Sequence, residues 1–414
     1  MSTPRAAGPT SFWNDMPFYF AIGIFSLDSV ANHFSKLPVF VGLMPAAIIL
    51  LVLAIPSGKA KIRLLMLGAF LCTSFVLHSA ESGFSKDNLT DSLYVMLFVS
   101  SIFYSRFINV SLTCIKLCTM VMMGLFLPTF FGFNNHMDAD EIFNSGSTDL
   151  EFLRVYNQGF FRYPHLASYL LTYGSLFWFY LGVKKKSLVS MGVAAGFFLA
   201  MIYAGSRTPV VVILLGFVLA KLKLNAGSFA LVACFVGGTI FMFMEIDTLL
   251  SMTHGTILYQ YLSFVKTASS DASRLSRIMI WGNWLQGMAE MDLAGYLFGK
   301  GFAASIVYNF QNIGTPIWFH NDFLSFAFSY GVPFFCIMLY IYFQMWRDAY
   351  RSNSDMAKLV FYFMALSAFL NGFYKYMPVF LLVIYSLVLR TSGTGVGDPV
   401  ADVPKDPKYN ALPG

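Results

Sequence analysis

His320 stands in the run Trp318-Phe319-His320-Asn321-Asp322, after an aromatic belt and at the start of an apolar stretch. A neutral imidazole in such a place can take a proton from a hydroxyl; a lone histidine beside a helix cap can equally be structural. Arg207 stands in Gly205-Ser206-Arg207-Thr208-Pro209, a very short turn between two apolar spans. Pro209 suits the first turn of the following helix, and Ser206 or Thr208 can cap it. A cation at that helix end meets a dipole that is already positive, so it is unfavourable unless an anion joins it. Helix N-terminus plus guanidinium is therefore a natural phosphate site; the competing reading is an arginine snorkelling to lipid headgroups. Two other helices begin in the same way. One follows Arg162-Tyr163-Pro164-His165, and the other follows His320 with Asn321 or Asp322 as cap. If the three ends converge, Arg162, Arg207 and His320 can surround one anionic group. Arg274 and Arg277 are three apart and so share a face if that stretch is helical; the alternative is a surface amphipathic helix with solvated arginines.

Metal and cofactor chemistry has little to draw on. His33, His78, His136, His165 and His254 share no metal-ligand spacing. The five cysteines lie in apolar stretches without a CxxC, which argues against a zinc site or a disulfide framework. Gly299-Lys300-Gly301 is a turn signal and lacks the GxxxxGK[ST] spacing of a P-loop. No metal and no cofactor are expected.

The elements that must position these residues are membrane spans. The chain has 414 residues, 57% hydrophobic and 12% charged, whereas a soluble domain carries about 25% charge. Spans of the required length, roughly 20 apolar residues, fall near 17–34, 38–56, 64–80, 92–108, 111–132, 165–183, 187–205, 208–222, 228–246, 321–345, 357–372 and 375–391. The expected fold is an all-α polytopic membrane protein of about twelve transmembrane helices. No cleavable signal peptide is expected, since Met1 to Asp15 is polar. The net charge of +6 sits mostly in short loops, which reads as topology rather than a nucleic-acid surface. With both termini cytoplasmic, Lys59, Lys61, Arg63, Arg106, Lys184, Lys185, Lys186, Lys221, Lys223, Arg347 and Arg351 all fall inside. The other loops are richer in acid, and two are long, near 132–163 and 245–319. Loops of that length are usually functional. Against this bias the outer face still holds Arg154, Arg162, Arg207, Arg274 and Arg277. Residues 1–391 read as one transmembrane domain. The tail 392–414, rich in Gly, Pro and Asp, reads as disordered. Asp28, a single carboxylate within the first span, reads as pairing with a neighbouring helix.

Four motifs resemble those of the O-antigen ligase and polysaccharide polymerase superfamily. His320-Asn321-Asp322-Phe323-Leu324 with Gly331 resembles its HNxxL…G motif, and Gly205-Ser206-Arg207-Thr208 its SR turn. Arg277 to Trp281, then Gly299-Lys300-Gly301, resembles its RxxxW…GxG pattern. Gly159-Phe160-Phe161-Arg162-Tyr163-Pro164-His165-Leu166-Ala167 resembles its G-x-F-x-x-P-N-x-x-A segment, with His165 where asparagine is common. The resemblance covers roughly residues 150 to 340. It implies a fold similar to C-type glycosyltransferases and a place in the bacterial inner membrane with the active site facing the periplasm. It also implies transfer of a glycan from undecaprenyl diphosphate to a hydroxyl, without metal or nucleotide sugar. The acceptor would be another glycan for a polymerase, or lipid A-core for a ligase. Asp138-Ala139-Asp140 has the DxD form of a metal–nucleotide site, but three-residue matches are common.

On this reading Arg207 and Arg277 hold the diphosphate as negative charge develops on it. Arg274 and Arg162 are candidates for the same cluster, with Ser206, Asn321, His165 and Trp281 in support. His320 is the general base on the acceptor hydroxyl. The Asn-Asp-Phe-Leu continuation, and Phe334 three positions after Gly331, favour a polymerase over a ligase. A flippase would instead call for paired charges near the midplane and an inverted repeat. A multi-span peptidoglycan polymerase would call for an essential outer acid, such as Asp247 or Asp271. Arg207→Lys and Arg277→Lys keep the charge but lose two-point contact with phosphate. Each is expected to lower the initial rate of glycan transfer in detergent on the order of tenfold or more.

Overall fold

The computed structural model describes residues 23, 39–105, 112–133, 159–161, 164–204, 212–213, 251–252, 277–314, 317–351 and 354–387. The span expected near 228–246, nearly all of those near 17–34 and 208–222, most of the 132–163 loop, the tail 392–414, Asp28 and Asp138-Ala139-Asp140 lie outside them. Among the described residues the chain is all-helical: α1 Val39–Ala54, α2 Gly58–Ser82, α3 Lys86–Ser105, α4 Leu112–Phe126 with a 3-10 turn Leu127–Phe131, α5 Pro164–Lys185, α6 Leu188–Tyr203, α7 Arg277–Ala289, α8 Leu293–Phe298, α9 Phe302–Ile313, α10 Asp322–Arg351, α11 Asp355–Leu370 and α12 Met377–Leu387.

Four of the described helical stretches are long and apolar enough to cross a membrane: Gly58–Ser82, Leu112–Phe131, Leu166–Lys185 and Asp322–Arg351. At 1.5 Å per residue α2 is roughly 37 Å long, against a hydrocarbon core of about 30 Å. Its buried positions Leu64, Leu67, Leu71, Ser74 and His78 recur every three or four residues and form one stripe. The opposite face is apolar as well, with Leu65 63% and Met66 69% exposed. A helix that is hydrophobic all round fits a lipid environment better than water. This is the make-up of a helical membrane protein.

Serines start several helices. Ser57, Ser187 and Ser354 accept hydrogen bonds from the backbone N–H groups of Ala60, Ser190 and Ala357, which begins α2, α6 and α11. Lys59, Lys61 and Arg63 lie in the first turns of α2, Lys184 and Lys185 end α5, and Arg347 and Arg351 end α10. These basic residues therefore gather at the end of the bundle opposite to the start of α3, the start of α10 and the α11–α12 turn.

The region 277–314, expected as part of a long loop, is built from α7, α8 and α9. A small second core joins it to α10: Ile280, Met291, Phe319 and Phe328, with Trp281, Trp284, Tyr308 and Leu324 around them. The attachment depends on a break in α10. At Gly331 the backbone leaves the helix, with φ 87° and ψ 167°. Pro333, which has no N–H, restarts it where a proline is tolerated. The carbonyls of Phe328 and Ser329 thereby lose their partners one turn on. The N–H groups of Lys300 and Gly301 replace those partners at 2.8 and 3.2 Å. Ser74 of α2 donates to the Phe298 carbonyl at 2.8 Å. Asn88 of α3 accepts from the Ala303 N–H at 2.7 Å, capping α9, whose own cap position is Gly301. The Gly299-Lys300-Gly301 turn and the Gly331 break are thus two halves of one joint.

The joint leaves no room for a side chain. A Cβ at Gly331 would lie 2.5 Å from the Leu297 carbonyl oxygen, at a φ that L-residues avoid. Gly331→Ala is expected to cost about 1–3 kcal/mol in backbone strain, with the steric clash added. A lowered apparent melting temperature of the detergent-solubilised protein, followed by size-exclusion chromatography after heating, checks this.

Candidate functional site

The sequence offered Asn321 and Asp322 as alternative caps for α10, and the structure gives them different tasks. The Asn321 carboxamide oxygen accepts from the N–H groups of Phe323 at 2.9 Å and Leu324 at 3.2 Å, so Asn321 is the cap. Asp322 reaches across to the α11–α12 turn, where its Oδ2 accepts from the N–H groups of Phe373 at 2.7 Å and Tyr374 at 3.0 Å. Among the described residues its Oδ1 has no hydrogen-bond partner. His320 precedes this pair with φ 50°, a left-handed conformation in which histidine is over-represented. Its ring centroid lies 5.2 Å from that of Trp318.

Beside this helix start lies a buried charge cluster. Asp91, in the second turn of α3, is 2% exposed. Its Oδ2 accepts from the Tyr330 hydroxyl at 2.7 Å and its Oδ1 from the Tyr374 hydroxyl at 2.6 Å. The Lys375 ammonium lies 2.9 Å from the same Oδ1, with 19% of its side chain exposed. That ammonium also sits 3.0 Å from the Phe302 ring centroid and 4.7 Å from that of Trp318. A buried carboxylate is costly unless it is paired and its lone pairs are filled, and Asp91 meets both conditions. The cluster ties α3, α9, α10 and the α11–α12 turn together beside His320.

The α7–α9 segment reaches the same helix start. The Trp284 indole N–H donates to the Leu324 carbonyl at 3.0 Å. Asn283 donates to Asn309 at 2.6 Å, and Asn309 to the Ile317 carbonyl at 2.7 Å. The Trp281 ring lies 5.4 Å from that of Phe369 of α11, tilted by 60°, and its buried indole N–H has no partner among the described residues. Lys300 pairs with Asp292 at 2.9 Å. That hydrogen bond, helped by the Gly295 N–H, holds the Asp292 carboxyl below the usual carboxylate range. Burial, reinforced by a hydrogen bond to Glu290, pushes the Tyr308 phenol up to about 12.

Of the residues singled out from sequence, His320, Asn321 and Trp281 belong to this region. Arg277 is the first residue of α7 and His165 the second of α5; their side chains are outside what is described. Arg162, Ser206, Arg207 and Arg274 lie outside the described residues, as do Asp247 and Asp271. The sequence reading missed Asp91, Tyr330, Tyr374 and Lys375. Asp91 adjoins the span expected near 92–108, and Lys375 is the first residue of the span expected near 375–391. A signal was available: Lys375 falls on a turn that the charge bias assigns to the outer face, as anomalous there as the arginines. Neither a protein-family model nor a curated protein matches the sequence.

The two acceptors at the start of α10 predict different losses. Asn321→Ala removes a cap and is expected to cost about 1 kcal/mol. Asp322→Ala leaves two buried N–H groups without an acceptor, at about 1–3 kcal/mol for each. Thermal unfolding of both variants in detergent should therefore rank Asp322→Ala as the more destabilising.

Proposed function

We propose that the chain is a membrane glycosyltransferase of the O-antigen ligase and polysaccharide polymerase type, with about twelve spans and a fold similar to C-type glycosyltransferases. It transfers a glycan from an undecaprenyl diphosphate carrier to an acceptor hydroxyl at the periplasmic face of the bacterial inner membrane. Polymerisation of surface-polysaccharide repeat units is the reaction favoured. The observation that carries this reading is that segments bearing two of the four family-like patterns, RxxxW…GxG and HNxxL…G, meet in space. α7, which starts with Arg277 and carries Trp281, bonds to the first turn of α10 through Trp284. The Gly299-Lys300-Gly301 turn bonds to α10 just before Gly331. His320 stands at the head of that helix. Lys59, Lys61, Arg63, Lys184, Lys185, Arg347 and Arg351 lie at the opposite end of the bundle, which accords with a periplasmic site under the charge bias.

In the mechanism proposed, His320 accepts the proton of the acceptor hydroxyl as its oxygen attacks the anomeric carbon. The bond from that carbon to the diphosphate oxygen breaks, and undecaprenyl diphosphate leaves. Arg207 and Arg277 stabilise the charge that develops on the leaving group, with Arg274 and Arg162 in the same cluster. Transfer to lipid A-core is the second reading. Phe334, fully buried against Phe326 and Tyr330, stands where ligases often carry a small or hydroxyl residue. A flippase fits less well, because the buried ion pair lies near helix ends rather than at mid-helix.

Arg207→Ala and His320→Ala are each expected to abolish transfer by purified protein supplied with lipid-linked glycan, with insertion and expression retained. Activity kept in both variants would place the chemistry elsewhere. Deleting the gene separates the two transferase readings: single repeat units on lipid A-core mark a lost polymerase, and long chains stranded on carrier lipid mark a lost ligase.

A further inference from the structure

His320 is held from two sides. On the chain side, the Asn321 cap fixes the backbone that follows it. On the other side stands Trp318, whose ring has little freedom. The Lys375 ammonium lies 4.7 Å from its centroid. The rings of Phe302 and Tyr374 lie 6.4 Å away on other elements. Gly372, at φ 80°, sits so close that a Cβ there would collide with the Trp318 ring and come within 2.8 Å of Asp322 Oδ1. The turn that carries Gly372 and Lys375 is itself fixed twice, by Asp322 through the N–H groups of Phe373 and Tyr374 and by Asp91 through Lys375 and the Tyr374 hydroxyl.

A cation held against an aromatic face and mostly shielded from water orients that ring more strongly than a fully exposed one does. Lys375 meets these conditions: it is mostly buried, paired at 2.9 Å with Asp91, and wedged between Phe302 and Trp318. We propose that Lys375, paired with Asp91, is a positioning residue for His320 and acts on it through the Trp318 ring. For catalysis this rests on the transferase reading above; the positioning itself does not. Lys375 touches neither the acceptor nor the diphosphate in this account. Its task is to hold the imidazole where the acceptor hydroxyl arrives, and a misplacement of about 1 Å at such a point can cost a hundredfold in rate.

Removing Lys375 alone would strand the Asp91 carboxylate and risk unfolding. The informative variant is therefore Asp91→Asn/Lys375→Met, which removes both charges together and leaves the Asn321 cap untouched. The readout is carbethoxylation of His320 by diethyl pyrocarbonate at fixed pH in the full-length detergent-solubilised protein, resolved by peptide mass spectrometry. The rate at His320 is expected to change several-fold while the rates at the other histidines stay put. The kcat of transfer should fall on the order of tenfold or more with KM little altered. Lys375→Arg, which keeps the cation, should stay near wild type in both measurements. Trp318→Leu removes the intermediate ring while keeping the ion pair, and should reproduce both changes if the double variant does not fold. Unchanged His320 reactivity in either folded variant overturns the proposal. Wild-type protein that transfers no glycan at all would overturn the transferase reading, while the carbethoxylation rates would still decide the positioning.

Discussion

A helix that stops inside an apolar bundle leaves carbonyls that no solvent can satisfy, since each buried polar group must find a partner within the protein. The break in α10 at Gly331 creates that demand at Phe328 and Ser329. The Gly299-Lys300-Gly301 turn answers it with two backbone N–H groups. Because the partners are backbone atoms, the two chains must approach without side chains between them, which explains glycine on both sides of the joint. The rest of α7–α9 is then brought onto α10, where Trp284 bonds to Leu324 and the small core around Phe319 and Phe328 closes. The stretch 277–314, which reads along the chain as part of a long loop, is in this way packed into the bundle end.

The same constraint, applied to charge, organises the other half of that end. Asp91 is almost fully buried, and its two oxygens receive two tyrosine hydroxyls and one ammonium. Such a network is strong when complete and costly when broken. It ties the start of α3 to the α11–α12 turn, while Asp322 ties that turn to the start of α10. His320 stands among these ties rather than on a free loop. In the proposed transfer His320 is the general base, whose geometry must be set before the acceptor arrives, and buried hydrogen bonds and an ion pair are supports of that kind.

The features that could be read along the chain are those that depend on local composition. Among the described residues the apolar runs located the longer helices, α2 and α5 among them, because a bilayer demands length and hydropathy of each span separately. The start of α10 was legible because a helix cap is a local event: Asn321 bonds to Phe323 and Leu324 within its own turn. The helices within 277–314 were not legible in the loop expected near 245–319, because they are short and find their apolar partners on α10 rather than within themselves. Asp91 and Lys375 were passed over because each stands at a span boundary, where a single charge is ordinary.

The sequence by itself determined a helical membrane protein, a basic and an acidic set of turns, and a histidine at the head of a capped helix. These follow from periodicity, hydropathy and capping, all of which act over a few residues. Only the tertiary structure decided that Asp322 reaches the α11–α12 turn, that a glycine turn completes the broken helix, and that Asp91 meets Tyr374 from 283 positions away. The physical reason is that satisfying a buried charge or an orphaned carbonyl is a matter of distance in space. A sequence states that such a group exists, and packing alone states which group answers it.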